Sequence, residues 1–448
     1  MTIRVLQGDN RVTLAELPDR SVHMAVTSPP YWGLRSYLPK GHELKPLELG
    51  SEPTPELFIA NLLDVFRAVR RVLRDDGTLW VNLGDTYGRN GGDGGCGPNA
   101  MAGNTTAGVQ TRMNVVPDGI KPLDRVGIPE RFALAMQAAG WYWRDTIIWH
   151  KPAPMPSSVN GWRWERCKVK VRPGERGDWK GATAMADKPQ GARADDGRSF
   201  GNGAGWSDCP GCPKCAAHGG WVLRRGSWRT TTAHEYIFMF AKTSSYFCDA
   251  EAVKQTASAA TVNRNEYSRV LDDPDEQYAV KHDHEFTGST ANPRSVWTIG
   301  PQPLKHKHYA AFPEELPRRC ILAGTPDKGC CPACGAPWAR MVDKEKCGTW
   351  HAHEADDERG QVNMTSTYDR SSGGPPSRTV GWMPTCDCPA ADPVPCTILD
   401  CFGGSGTVAL VASMMGRNAI SCELNPEYVA MHDTRFEETA PLLLESTP

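Results

Sequence analysis

Short apolar runs that break off at proline or glycine mark both ends of this chain, with longer polar and charged stretches between them. A short apolar run bounded by turn residues predicts a buried strand. Met1-Thr2-Ile3-Arg4-Val5-Leu6 opens as such a strand, and Gly8-Asp9 is its turn. Val22-His23-Met24-Ala25-Val26 is a second, brought to a stop at Ser28-Pro29-Pro30-Tyr31-Trp32. Two adjacent prolines exclude a helix and stiffen the backbone, so this strand ends in a rigid rim presenting a hydroxyl, an unpaired carbonyl and an aromatic face. Glu235-Tyr236-Ile237-Phe238-Met239-Phe240 predicts a core strand, and a helix is expected to start near Pro313. Towards the C-terminus, Cys396-Thr397-Ile398-Leu399-Asp400 predicts a strand, Phe402-Gly403-Gly404-Ser405-Gly406 a turn, and Thr407 to Gly416 an amphipathic helix. Asn418-Ala419-Ile420-Ser421-Cys422 predicts one more strand, ending on Glu423. Strands alternating with helices predict an α/β domain.

The strand, glycine turn and helix form the entry unit of a nucleotide-binding sheet, in which glycines let the backbone approach a ligand closely. Glu423 lies about twenty residues past that turn, where such sheets place an acid for ribose hydroxyls. The glycine turn alone is a weak signal, and the acid strengthens it. Pro-Pro-Tyr could also be a plain polyproline turn or a ligand for a small recognition domain. Its place directly after an apolar strand favours a functional site.

Together the two blocks resemble the S-adenosylmethionine-dependent DNA amino-methyltransferases, whose catalytic tetrapeptide is Asp, Asn or Ser followed by Pro-Pro and an aromatic. With the tetrapeptide first and the glycine loop last, the order resembles their permuted beta group. Leu73 to Tyr87, Ile128 to Pro152, His234 to Asp249 and His308 to Thr325 resemble further family blocks. Cys401 departs from the pattern, since the family usually has proline there, but it removes no expected ligand atom. The resemblance implies an α/β fold: a Rossmann-like methyltransferase sheet with circularly permuted motif order. It implies S-adenosyl-L-methionine as cofactor, held by Asp9, Phe312, Asp400, Phe402, Gly403, Gly404, Ser405, Gly406, Thr407 and Glu423, and catalysis by Ser28, Pro29, Pro30 and Tyr31. Asp9 would meet the adenine amine, although a plain turn aspartate explains it as well, and Phe312 would lie near the methionine end. Asn82 and Asp85 would line the target side of the pocket or merely cap a strand end. His150 and Lys151, beside Trp149, are candidates for a DNA phosphate.

The residue types suit the chemistry, because the lone pair of an exocyclic base amine is delocalised into the ring. Acceptors at Ser28 and the Pro29 carbonyl would bind the amine hydrogens and favour a tetrahedral nitrogen, which attacks the sulfonium methyl in line. No metal or covalent intermediate is required, so proximity and alignment are expected to supply roughly 7–11 kcal/mol. A target inside a duplex must be flipped out and held on an aromatic face, for which Tyr31 is the candidate. Trp32 either extends that platform or packs in the core. Serine at the leading position is frequent among cytosine-N4 enzymes and aspartate is usual for adenine-N6, so cytosine N4 is favoured and adenine N6 is the alternative.

Composition adds partners and insertions. The chain has 448 residues, 40% of them hydrophobic, and a formal net charge of -2. A general basic coat is excluded, so contact with double-stranded DNA has to come from local patches. From Arg163 to Arg193 nine Lys or Arg stand against four acids, interleaved with Trp162, Trp164 and Trp179. That mixture suits phosphate contact and stacking, or a solvated loop. Sixteen cysteines in a chain with no signal sequence or membrane span imply a reducing, cytoplasmic location and metal rather than disulfides. Cys209, Cys212 and Cys215, with Cys167 as fourth ligand and His218 as its alternative, predict one structural zinc. Cys331, Cys334, Cys386 and Cys388 predict another, with Cys330, Cys347, His351 and His353 as substitutes.

The expected organisation is a catalytic half-core over 1–150, a basic cysteine-bearing insertion over 151–232 that could contact DNA, and a core return over 233–326 carrying a candidate target-recognition segment. A zinc-knuckle insertion over 327–396 and a cofactor-binding half-core over 397–448 complete it. Asn90 to Asp118 is expected to be a loop that orders over DNA or cofactor, and Ser371 to Ser377 a linker. The leading expectation is site-specific DNA amino methylation, compatible with a homodimer and with a separate restriction nuclease. A methyltransferase acting on RNA or on a protein glutamine usually has the reverse motif order. A non-catalytic zinc-containing DNA-binding protein is the remoter alternative.

Overall fold

The structure is a computed structural model and describes residues 1–33, 36–39, 41–88, 119–154, 161–171, 205–256, 290–302, 312–344 and 377–439. The expected loop over 90–118, the basic run beyond residue 171 with Trp179, residues 257–289 and 303–311 of the expected core return, Cys347, His351, His353 and most of the 371–377 linker lie outside them. The chain forms two compact units, Met1–Ala153 with Ala233–Pro448, and Pro154–Thr232.

In chain order the larger unit begins with β1 (Ile3–Gln7), the single turn α1 (Asn10–Thr13), β2 (Val22–Thr27), α2 (Pro55–Val72), β3 (Leu73–Leu83), α3 (Ile128–Ala138) and β4 (Tyr142–His150). The smaller unit follows with β5 (Trp162–Arg166), β6 (Lys168–Val171), β7 (Gly205–Asp208), the short α4 (Pro213–Ala216) and β8 (Trp221–Arg225). The larger unit resumes with β9 (His234–Ala241), β10 (Gln255–Thr256), β11 (Thr290–Ala291), β12 (Val296–Thr298), α5 (Glu315–Gly324), β13 (Trp338–Lys344) and β14 (Ser377–Pro384). It closes with β15 (Thr397–Asp400), α6 (Thr407–Met414), β16 (Asn418–Glu423) and α7 (Pro426–Thr439).

Eight strands form one sheet in the order β1-β16-β15-β2-β3-β9-β4-β12. Every neighbouring pair is parallel except those made by β9, which runs against both β3 and β4. The result is a mixed, mostly parallel α/β sheet, in line with the α/β class expected from the sequence. Side chains alternate across it, as strand geometry requires. Leu79, Val81, Phe238 and Phe240 pack with α2 and α3 on one face, and Trp80, Ile237 and Met239 pack with α5 and α6 on the other.

Helix α2 is an element that the apolar runs alone do not announce. Thr54 caps it by accepting from the Leu57 N–H, Pro55 sits in its first turn, and Phe58, Ile59, Leu62, Val65, Phe66, Val69 and Val72 form its buried stripe. That spacing is helical, and the cap and proline fix the start. Strands β13 and β14 pair as an antiparallel hairpin. Arg340 anchors the hairpin by pairing with the buried Asp249 at 2.8 Å and stacking over Trp382 at 4.3 Å. Among the described residues no helix is long and apolar enough to cross a membrane.

Candidate active site and metal centres

Residues Thr27 and Asp400, 373 positions apart, meet in a buried 2.6 Å hydrogen bond from the threonine hydroxyl to the carboxylate. Each ends its strand, and β2 and β15 are parallel neighbours. The Ser28 tetrapeptide and the glycine loop therefore leave the same edge of the sheet side by side. From β15 the chain crosses through α6 to β16 on one side, and from β2 through α2 to β3 on the other. Crossovers diverging from adjacent strands leave a crevice at their carboxyl ends, which is where such sheets bind ligands.

The glycine loop is held from below and from the side. Asp400 also accepts the Phe402 N–H at 3.0 Å, and burial pushes its pKa up to about 6. A Cβ on Gly403 would fall 2.0 Å from Ser421 Oγ, so any larger residue forces a shift there. Gly406 has φ +76°, in the left-handed region, and abuts the His432 ring. Glu423, at the end of β16, accepts the Gly404 N–H at 2.7 Å and the Asn425 N–H at 2.8 Å. Burial raises its pKa to about 7 against the opposing pull of these amides. A carboxylate has about four acceptor positions, so about two remain for a ligand's hydroxyls.

The structure divides the loop residues by role. Arg435 of α7 donates to Ser405 O at 2.8 Å, Ser405 Oγ at 3.1 Å and Thr407 Oγ1 at 2.9 Å. Both hydroxyls are buried inside the loop and the Ser405 carbonyl is taken by Arg435, so neither side chain is offered to a ligand. His432 Nε2 meets Gly404 O at 2.9 Å. Neither His432 nor Arg435 was legible in the sequence, because a helical spacing of polar residues reads the same whether the face is solvated or braces a loop.

On the other side of the crevice Tyr31 is half-buried, and its hydroxyl donates to Glu235 Oε2 at 2.6 Å. Asn82 Nδ2 donates to both of these oxygens at 3.1 Å. Burial and the Glu235 carboxylate push the Tyr31 phenol well above its ordinary pKa, with a smaller opposing pull from Ser28. Trp32 packs in the core, 5% exposed, with Nε1 donating to Glu52 O, so it does not extend a platform. Asp85 caps α3 by accepting the Gly127 and Ile128 N–H groups. Asp9 caps α1 and pairs with Arg11 through both oxygens, one residue beyond the Gly8 N–H that donates to Glu423 O. Phe312 packs, partly buried, against the cluster that contains α5 and α6. Lys151 pairs with Glu235 and lies 4.4 Å from the centre of the Trp149 ring, so its charge is engaged within the protein.

Eight of the cysteines gather in two groups of four. The thiols of Cys167, Cys209, Cys212 and Cys215 lie within 4.8 Å of one another, as do those of Cys331, Cys334, Cys386 and Cys388. Cys212 Sγ is 3.8 Å from Cys167 Sγ and 3.7 Å from Cys215 Sγ. A tetrahedron of ~2.3 Å zinc–sulfur bonds has edges of ~3.8 Å, so this donor set fits zinc. Backbone N–H groups lower the Cys212 thiol to about 6 and the Cys331 thiol to about 7, favouring one thiolate in each cluster. Burial raises Cys167, and the neighbouring thiols raise Cys388, to about 12. His218, the alternative ligand, instead packs against Trp164. His23 also lies with Cys330 and Cys396, but the Thr397 N–H donates to its Nδ1 and its Nε2 faces Gly335 O, so the ring is already committed.

In the smaller unit β5 and β8 pair antiparallel, which sorts their side chains onto two faces. One face carries Trp162, Trp164, Arg166, Trp221, Leu223 and Arg225, with Arg225 over Trp162 and Arg166 over Trp221 at 5.1 and 4.5 Å. On the other, Glu165 pairs with Arg163 and Arg224. Trp162 is 69% exposed.

A family model described as DNA methylase, covering N6 and N4 enzymes, matches residues 22–331 and 396–433. The chain is 27% identical over 433 residues to Type II methyltransferase M.Cfr9I of Citrobacter freundii, covering 97% of this chain and 87% of that protein. It is 30% identical over 322 residues to Type II methyltransferase M.SmaI of Serratia marcescens, covering 72% and 75%. Among solved structures, PvuII DNA methyltransferase (cytosine-N4-specific) is 15% identical, with 98% of this chain and 88% of that one covered and a TM-score of 0.46.

Proposed function

The chain belongs to the N6/N4 DNA methylase family, and from that premise we propose that it methylates cytosine N4 at specific sites in double-stranded DNA with S-adenosyl-L-methionine as donor. The observation that carries this reading is the Thr27–Asp400 bond, which sets the tetrapeptide beside the glycine loop. Bound in the crevice, S-adenosylmethionine supplies an electrophilic methyl group on a sulfonium. Glu423 accepts ribose hydroxyls, the backbone from Phe402 to Thr407 lies against the cofactor, and Asp9 and Phe312 flank it. Ser28 and the Pro29 carbonyl accept the hydrogens of the base amine, Pro30 keeps the rim rigid, and Tyr31 stacks on the flipped base. Methyl transfer breaks the sulfonium–methyl bond, releasing S-adenosylhomocysteine, and the methylated nitrogen gives up its proton to solvent. Serine at the leading position, frequent among the cytosine-N4 enzymes that the chain resembles, favours cytosine N4 over adenine N6. The motif order is read as the circular permutation of the methyltransferase sheet.

Each four-cysteine cluster is read as a structural zinc site, held by Cys167, Cys209, Cys212 and Cys215 in the smaller unit and by Cys331, Cys334, Cys386 and Cys388 in the larger. Four thiolates leave no open position for catalysis. The Trp–Arg face of β5 and β8 is read as a DNA contact. The described part of the smaller unit carries eight Lys or Arg (Arg163, Arg166, Lys168, Lys170, Lys214, Arg224, Arg225, Arg229) against Glu165 and Asp208, in a chain of net charge -2. Incubation with labelled S-adenosylmethionine and unmodified DNA, followed by nucleoside mass spectrometry, tests the function. N4-methylcytosine is the expected product. N6-methyladenine would overturn the choice of base, and an unmodified digest from a protein that binds the cofactor would overturn DNA as substrate. Ser28→Ala and Tyr31→Ala are expected to lose turnover while retaining cofactor binding.

A further inference from the structure

We propose that Glu235 is a positioning residue for Tyr31: its carboxylate grips the phenol hydroxyl and fixes the angle at which the ring meets the substrate base. The proposal rests on the methyltransferase reading above. Two prolines make the backbone before Tyr31 rigid, but they leave the side-chain torsions free. The structure removes that freedom at both ends of the ring. At its edge the ring lies against Gly84, where a Cβ would come 2.6 Å from Cε2 and 3.3 Å from Cζ. At its tip, Tyr31 Oη, Glu235 Oε2 and Asn82 Nδ2 form a triangle of hydrogen bonds of 2.6, 3.1 and 3.1 Å. Asn82 is 2% exposed on β3 and cannot swing away. The other Glu235 oxygen is held by Lys151, which is itself seated on Trp149, the residue opposite Glu235 in the pairing of β4 and β9.

The choice of a carboxylate is informative. A hydroxyl needs only a neutral acceptor, whereas a bond to a charged acceptor is roughly twice as strong and the charge keeps the phenol protonated as the donor. Lys151 then offsets a carboxylate that would otherwise stand beside the substrate unbalanced. Topology explains how a residue 204 positions from Tyr31 arrives there. Because β9 is the reversed strand, its first residues lie at the edge where β2, β3 and β4 end.

A double-mutant cycle on the full-length chain tests this, with kcat and KM for DNA and cofactor affinity measured for Tyr31→Phe, Glu235→Ala, Glu235→Gln and the combinations. Tyr31→Phe keeps the stacking ring and removes only the gripped hydroxyl. Each single change is expected to lower kcat/KM for DNA roughly tenfold to a hundredfold, the scale of a hydrogen bond to a charged group, with cofactor affinity unchanged. The double variants are expected to be no worse than the more impaired single, because Glu235 acts through a hydroxyl already gone. Glu235→Gln, which keeps an acceptor, is expected to recover part of the Glu235→Ala loss. Losses that multiply, or a fully active Glu235→Ala, would overturn the proposal. If Glu235→Ala fails to fold, the Glu235→Gln and Tyr31→Phe cycle decides by the same criterion. A wild-type chain that methylates no DNA would overturn the underlying function, whereas multiplying losses on an active wild type overturn only the role of Glu235.

Discussion

Cofactor affinity is expected to depend on the protonation of Glu423. The carboxyl sits with its pKa raised to about 7 because burial disfavours its charge, and the Gly404 and Asn425 amides only partly offset this. On the proposed role of Glu423, ribose hydroxyls would donate to the ionised form, so bound cofactor would favour the carboxylate and affinity should fall as pH falls through about 7. If only the ionised form binds, about nine-tenths of the protein is competent near pH 8 and about one-tenth near pH 6. Affinity should then drop about tenfold, or ~1.4 kcal/mol, over that interval. The cofactor-free protein should respond in the opposite sense. A carboxyl whose folded pKa is raised binds its proton more tightly folded than unfolded, so its contribution to stability is lost as pH rises from about 4.5 to about 7. Glu423→Gln cannot ionise, and it turns an amide donor towards Gly404 or Asn425, leaving one buried N–H unpaired at a cost of about 1–3 kcal/mol. Calorimetric titration should therefore find the variant weaker and flat between about pH 6 and 8, where the wild type slopes. A flat wild type, or a variant that keeps the slope, would refute the assignment.

Gly403→Ala drives a Cβ to 2.0 Å from Ser421 Oγ, and overpacking of this kind costs about 1–3 kcal/mol. Cofactor binding should be lost before the fold, and Ser421→Ala should restore part of it in calorimetry, because the next contact is 3.3 Å from the carbonyl of Cys422. Metal analysis of the purified chain should find about two zinc ions, with Cys212→Ser and Cys331→Ser each removing about one; a metal content unchanged by either variant would contradict the two centres. Replacing Arg166 and Arg225 by alanine should weaken DNA binding and reduce the slope of log affinity against log salt by about two, with cofactor affinity unchanged. An unchanged slope would remove that face from the DNA contact.

Local chemistry was enough to announce the parts of this protein. Val22 to Val26 running into Ser28-Pro29-Pro30-Tyr31, and Ile398 to Asp400 running into the glycine loop and on to Glu423, carry strand, turn and acid within a few residues of one another. The cysteine triplet from Cys209 and the pair from Cys331 announce two clusters of thiols in the same way, because donors on one tight turn are already close. Helix α2 was written equally clearly, in Thr54, Pro55 and the stripe from Phe58 to Val72, once helical spacing is sought beside short apolar runs.

What depends on residues distant in sequence was decided only by the tertiary structure. Thr27 and Asp400 meet because β2 and β15 are neighbours in the sheet, and Glu235 reaches Tyr31 because β9 alone is reversed. His432 and Arg435 brace the glycine loop, Trp32 goes to the core and Asp85 to a helix cap, although a tryptophan or an aspartate at a strand end reads the same in either role. The physical reason is range. Backbone preferences and periodicity act over a turn or two of chain, whereas a hydrogen bond between side chains hundreds of residues apart exists only after the sheet order has been chosen.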